Sequence, residues 1–187
     1  MIELSLVIPV GPGDTPYLPI RTLNYPAEII VSDDPKGRGS NWARNQGADL
    51  VRTPLVLFCD ADISWMPYAV ERMVQALRDD EEAAFAFGAY RRGEELVGGG
   101  EWDPERLHRN NYISTMSVIR TEYFAGWDTD IKRLQDWDQW LEIEEHGGYG
   151  VSVNQVLFHT EVREGITFGG GINWGDARRI VARKHGI

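Results

Sequence analysis

The stretch from Thr53 to Ile63, Thr-Pro-Leu-Val-Leu-Phe-Cys-Asp-Ala-Asp-Ile, constrains this chain more than any other. Leu55 to Cys59 form an apolar run short enough for a strand buried on both faces. The run ends in two carboxylates, Asp60 and Asp62, with only Ala61 between them. In an open α/β sheet, ligands collect at the carboxyl ends of the strands. Two carboxylates about 5 Å apart at an effective dielectric near 20 repel by roughly 3 kcal/mol. Such a pair shares a proton or holds a cation. With oxygen donors alone the cation is hard, Mg²⁺ or Mn²⁺, and keeps positions open for phosphate oxygens. The plainer alternative is a strand followed by an Asp-rich turn.

The rest of the chain repeats the pattern. Glu3 to Val10 reads as a first strand closed by Pro9 and the turn Gly11-Pro12-Gly13. Tyr17 to Leu23 reads as a helix that Pro16 and Pro19 limit to a turn or two. Glu28 to Ser32 is a second buried strand, again ending in paired carboxylates, Asp33 and Asp34. Ser40 or Asn41 then caps a helix reaching roughly Val51. After the Asp60 strand, Val70, Met73, Val74 and Leu77 share one side of a helix over 68–78.

Ala83 to Ala89 is the next strand, and Arg91 to Pro104, polar and holding Gly98-Gly99-Gly100, reads as a mobile loop. Tyr112 to Arg120 is expected to be a strand, followed by a short helix over Thr121 to Gly126. Trp137, Trp140, Leu141 and Glu144 share a face of a helix over Gln135 to His146. Gly150 to Phe158 is a last strand ending in His159. The run Gly169-Gly170-Gly171 and a terminal helix from about Asp176 follow. Alternating strands and helices imply an α/β fold whose sheet is mostly parallel and covered by helices, with a small antiparallel element in the second half.

Length and charge narrow the function. A chain of 187 residues suits a single domain, 1–187. A net charge of −10 argues against broad binding to nucleic acid, which needs a basic face. No apolar run is long enough for a membrane span, and nothing reads as a signal peptide. The single cysteine, Cys59, excludes an internal disulfide and fits a reducing, cytoplasmic setting. It reads as a core thiol.

Taken together, Leu6 to Val10, Glu28 to Asp34, Ala43 to Ala48 (Ala-Arg-Asn-Gln-Gly-Ala) and Thr53 to Asp62 resemble glycosyltransferase family 2, with its GT-A, Rossmann-like nucleotide-sugar fold. Later pieces fit as well: Ile119-Arg120, Gly126-Trp127-Asp128, Gln135 to Trp140, and Val156 to His159. The resemblance implies a nucleotide-binding half over 1–90 and an acceptor-binding, catalytic half over 91–187. Pro9 and Val10 would lie against base and ribose. Asp33 would accept a hydrogen bond from the base, with Asp34 beside it, and Arg44 would reach toward base or diphosphate. Asp60 and Asp62 would be the Asp-x-Asp motif, Asp60 near the ribose and Asp62 on the Mn²⁺ or Mg²⁺ ion, with His159 completing the metal shell. Asp136 falls where the family places its general base.

The implied reaction is inverting sugar transfer from a nucleotide diphosphate sugar, by default a UDP-sugar, to a hydroxyl acceptor. That acceptor could be a saccharide, a lipid-linked saccharide, a protein or a small molecule. Three features depart from the family pattern. Gln135 stands where a glutamate is usual, the segment from Asp34 to Ala43 is short, and the chain stops soon after His159, as in a minimal soluble member.

Competing readings stay open at this point. A nucleotidyltransferase also uses paired carboxylates, but the turn over Gly11 to Tyr17 carries no basic residue. An Asp-x-Asp phosphatase would carry the motif on its first strand. A non-catalytic nucleotide-sugar or carbohydrate-binding module is the third. Asp33 could form only an Asx turn, and Arg44 could be a surface residue. Asp136 could serve only the helix dipole, with Asp138 as the fallback base. His159 could be structural. The basic terminal helix, with Arg178, Arg179, Arg183 and Lys184, could close over a diphosphate, touch anionic lipid, or simply pack one face.

Overall fold

A computed structural model describes residues 2–160 and 171–187. Gly169 and Gly170 of the late glycine run lie outside the described residues. The elements are β1 (Leu4–Val10), α1 (Tyr17–Thr22), β2 (Glu28–Asp33), α2 (Ser40–Ala48), β3 (Leu55–Phe58), β4 (Ile63–Trp65), α3 (Ala69–Asp79), β5 (Phe85–Arg92), β6 (Glu95–Gly98), α4 (Pro104–Arg109), β7 (Val118–Arg120), α5 (Gln135–Glu145), β8 (Gly150–Thr160) and α6 (Trp174–His185). A 3-10 turn spans Thr121–Tyr123.

One sheet runs in the order β2-β1-β3-β7-β5-β8-β4, with β6 added beside β5. The α/β alternation of the first half places β1 parallel to both β2 and β3. Parallel pairing returns at β5–β8, while β7, β6 and β4 pair antiparallel with their neighbours. Antiparallel pairing is thus more extensive than the small element expected from the sequence.

Period-two alternation sends β1 side chains to two cores. Leu6 and Ile8 pack with Met73, Val74 and Leu77 of α3, while Val7 joins Phe58, Phe85, Trp137 and Trp140 on the other face. The buried indoles of α5 are satisfied there: Trp137 Nε1 donates to Leu107 O at 2.7 Å and Trp140 Nε1 to Ile113 O at 3.0 Å. These two tryptophans are core residues. Helix α2 lies so close to β1 that a Cβ on Gly47 would stand 2.4 Å from Val7 Cγ1.

Several elements differ from the sequence reading. The expected strand from Tyr112 shrinks to Val118–Arg120. Ahead of it, Ser114 Oγ accepts from Met116 N and Ser117 Oγ donates to Ser114 O, local bonds that replace a ladder. The supposed mobile loop over 91–104 is instead a hairpin, β5 paired with β6, followed by α4. Its glycines serve close approach: a Cβ on Gly98 would stand 2.6 Å from Tyr112 O, and one on Gly99 2.9 Å from Ala89 Cβ. Neither Ser40 nor Asn41 caps α2. Gly39 holds that position with φ 116°, and Asn41 is used elsewhere.

Candidate active site

Parallel pairing brings the carboxyl ends of β1, β2 and β3 to one edge, with Val10 in register with Asp33 and Val7 with Phe58. Pro9, Val10, Asp33, Asp34, Asp60 and Asp62 therefore sit around a single rim. The two carboxylates after β2 part company. Asp33 is exposed, whereas Asp34 is buried. Asp34 Oδ2 accepts the Gly39 N–H at 2.7 Å, and its Oδ1 lies 3.5 Å from Arg38 Nε. Arg38 in turn lies over the Trp42 ring at 3.3 Å. Asp34 shapes the short loop into α2, and Asp33 is the carboxylate left facing outward.

Arg44 is not a surface arginine. It is 5% exposed, and its guanidinium donates to Asp60 Oδ1 at 2.7 Å and to Asn41 Oδ1 at 3.0 Å, while lying 4.9 Å from the Trp127 ring centre. Neighbours on α2 bolt down the loop after Gly126. Asn45 accepts from Trp127 N and donates to Trp127 O, each at 2.8 Å, and Asn41 Nδ2 donates to Asp128 O at 2.7 Å. The Ala-Arg-Asn-Gln-Gly-Ala motif thus does three jobs at once: its glycine lets α2 touch β1, its asparagine holds a distant loop, and its arginine meets Asp60.

Asp60 and Asp62 are both partly exposed at the end of β3. Their charges meet beneath the rim: the Cys59 thiol is pushed well up by burial, then further by Asp60 and Asp62. Their hard oxygen donors fit Mg²⁺ or Mn²⁺. His159 is exposed on β8, in register with Ser64 of β4, and its Nε2 lies 3.1 Å from Met66 Sδ. Among the described residues, only Glu142, Glu145 and His185 bring three such ligand atoms within 4.8 Å of one another. His159 therefore lies across from Ser64, two residues beyond Asp62, without being gathered with both carboxylates.

Asp136 stands in the first turn of α5, just after Leu134, which takes the left-handed conformation (φ 65°). Its Oδ1 accepts the Trp137 N–H at 3.0 Å. The Asn111 side chain, whose Oδ1 accepts from Ile113 N at 3.2 Å, also favours its anion. Burial raises the Asp136 pKa, against the Trp137 N–H, Asn111 and the charge of Arg44, all of which favour the anion. Tyr90, stacked on Phe158 at 4.8 Å, is raised by burial, with Asp136 and Asp60 both adding to the shift. The charges of Asp60 and Asp136, far apart in the chain, thus both act on Tyr90, and Arg44, bonded to Asp60, also favours the Asp136 anion.

Asp138 faces away from this group. It is buried, and its Oδ1 lies 2.8 Å from Lys184 Nζ and 2.9 Å from His185 Nε2 on α6. The fallback base is a helix anchor. Gln135 bonds locally, its Nε2 donating to Lys132 O at 3.0 Å. Asn41, Asn45, Tyr90 and Asn111 were missed in the sequence, where only their final partners distinguish them from ordinary polar residues.

The family model for Glycosyl transferase family 2 matches residues 19–141, a span that includes Asp33, Arg44, Asp60, Asp62 and Asp136. Among solved structures, the fold is similar to S. aureus TarS 1-349 in complex with UDP-GlcNAc, with TM-score 0.74 and 14% identity over 98% of this chain and 66% of that one. It is similar also to the mannosyltransferase PcManGT from Pyrobaculum calidifontis in complex with GDP-Man and Mn²⁺, with TM-score 0.65 and 16% identity over 98% of this chain and 61% of that one. The chain therefore spans less than two thirds of the length of either. No curated protein matches the sequence.

Proposed function

The chain belongs to glycosyl transferase family 2, and from that premise we propose that it moves a sugar from a nucleotide diphosphate sugar to a hydroxyl acceptor, with inversion, using Asp136 as general base. The observation that supports this most is the buried Arg44 guanidinium 2.7 Å from Asp60, the first carboxylate of the pair at the end of β3, with a charge that also favours the anion of Asp136.

In this reading Pro9 and Val10 flank the nucleoside and Asp33 accepts a hydrogen bond from the base. Asp34 acts indirectly, by fixing the loop through Arg38 and Gly39. Asp62, with Asp60, would hold a divalent cation, and His159 would complete its shell. When bound, such a cation would supply charge stabilisation for the departing diphosphate. Arg44 adds a fixed positive charge at the same rim. Asp136 takes the proton of the acceptor hydroxyl, and its raised pKa makes its ionised form a stronger acceptor than an ordinary carboxylate. The Trp137 N–H holds the carboxylate while it does so.

The similar structures hold UDP-GlcNAc in one case and GDP-Man in the other, so both are donor probes here, with UDP-sugars as the first choice. No helix among the described residues is long and apolar enough to cross a membrane. The test is calorimetric binding of UDP and GDP with and without Mn²⁺, followed by release of nucleotide from each donor. Binding of neither nucleotide would overturn the reading. Binding without any release would favour the non-catalytic module.

A further inference from the structure

We infer that Lys184, on the last turn of α6, is a positioning residue for Asp136. This rests on the catalytic reading above. Its ammonium lies 3.0 Å from Asp128 Oδ2 and 2.8 Å from Asp138 Oδ1, with Glu142 Oε2 at 3.9 Å. Asp128 and Asp138 are the two ends of the segment that carries Asp136. One cation therefore pins both ends of that segment.

Each end is also committed elsewhere. The backbone of Asp128 accepts from Asn41, and Asn41 accepts from Arg44, which holds Asp60. Asp128 Oδ1 accepts the Asp130 N–H at 2.9 Å, so its Oδ2 is the oxygen left for Lys184. Asp138 is buried with a side chain only 6% exposed, and both its close cationic neighbours, Lys184 and His185, come from α6. A buried carboxylate held this way is costly to leave without its cation. The polar path runs Asp60, Arg44, Asn41, Asp128, Lys184, Asp138, and so joins the Asp-x-Asp rim to the base helix through the C-terminal helix.

Between the pinned ends, residues 132–136 are all exposed or half-buried, and Trp137 is the next to enter the core. Leu134 is in a left-handed conformation that a bulky residue keeps only when its surroundings impose it. Displacement of a reacting group by about 1 Å costs on the order of 100-fold in rate. Lys184 touches none of the rim residues, so its effect on the reaction must pass through the segment it braces.

The test compares the parent with Lys184→Met, which keeps the aliphatic stem, and Lys184→Arg, which keeps the charge. Hydrogen exchange of the nucleotide-free proteins at 127–131 and 134–138 is measured first. Lys184→Met should speed exchange in both stretches together by about tenfold, and Lys184→Arg should restore it. Turnover of UDP-GlcNAc or GDP-Man to free nucleotide should then fall by about 10- to 100-fold in Lys184→Met, with donor KM unchanged. Unchanged exchange in Lys184→Met overturns the brace. Faster exchange with unchanged kcat overturns the positioning role and leaves Lys184 a stability residue. Failure of the parent itself to bind nucleotide with Mn²⁺ counts against the catalytic reading, and with it the positioning role, while the exchange comparison still decides the brace.

Discussion

The guanidinium of Arg44 stands 2.7 Å from the Asp60 carboxylate, a buried cation against the first carboxylate of the Asp-x-Asp motif. That pairing gives Arg44 two opposed effects. On the proposed reading its charge would repel a divalent cation at Asp60 and Asp62, but attract the diphosphate of the donor.

Arg44→Met should therefore bind Mn²⁺ alone more tightly than the parent, and bind nucleotide in the presence of Mn²⁺ more weakly. Calorimetry reads both. Equal shifts in the same direction would place Arg44 outside the donor site. Because Asp60 is 40% exposed at its side chain, water replaces much of the lost partner, and the stability cost should stay near 1–2 kcal/mol.

Asp62→Ala isolates the cation. The side chain is partly exposed and belongs to a turn rather than to the core, so the variant should keep its melting temperature within a few degrees. Nucleotide binding should become indifferent to Mn²⁺ and EDTA. A variant whose UDP affinity still responds to Mn²⁺ would show that the ion sits elsewhere.

Much of the fold was legible because its signals are local. The run Leu55 to Cys59 announces a buried strand, and the Trp137, Trp140, Leu141 spacing announces the inward face of α5. The β5–β6 hairpin was not legible. Gly98, Gly99 and Gly100 beside charged residues read as a loop, and only their approach to Tyr112, Ala89 and Arg106, which are non-local, explains them. The rim carboxylates were visible as strand ends, but their division of labour was not. Asp34 became structural through Arg38 and Gly39, a fact of loop geometry. Asp138 could be distinguished from Asp136 only by α6, whose Lys184 and His185 claim it.

His185 makes the attachment of α6 sensitive to pH. Its ring lies between Asp138 Oδ1 and Glu145 Oε1, at 2.9 and 2.8 Å, with Lys184 and Glu142 close by. Burial lowers its pKa, but the hydrogen bonds to Asp138 and Glu145 outweigh burial and leave it above the ordinary 6.5. The folded protein thus holds the proton more tightly than the unfolded chain. The resulting stabilisation is complete below pH 6.5 and is lost as pH rises through the folded value. His185→Gln should cost about 1–2 kcal/mol in mild acid, the worth of a charge-assisted bond, and progressively less as pH rises. Urea unfolding across pH reads this, and a difference that grows with pH contradicts it.

Asp136→Asn separates binding from chemistry, and it also reverses the usual link between damage and instability. The amide keeps the shape and can still accept the Trp137 N–H, but no longer takes a proton from an acceptor hydroxyl. Nucleotide affinity should be nearly unchanged and turnover should fall by about 10²–10⁴-fold, the usual size of a general-base contribution. In the parent, burial raises the Asp136 pKa above 3.8, so the acid limb of the pH–rate profile should lie above the ordinary carboxylate range. The same shift means that the folded state binds this proton more tightly than the unfolded chain. Folding stability is therefore lost as pH rises from the unfolded value through the folded one. Removing the desolvated charge should make Asp136→Asn more stable than the parent at neutral pH, with the difference vanishing in acid. Asp138→Asn should do the opposite, costing stability because it weakens the hold on Lys184 and His185. Should Asp136→Asn lose stability at neutral pH and keep its turnover, the carboxylate is a structural anchor and the base lies elsewhere.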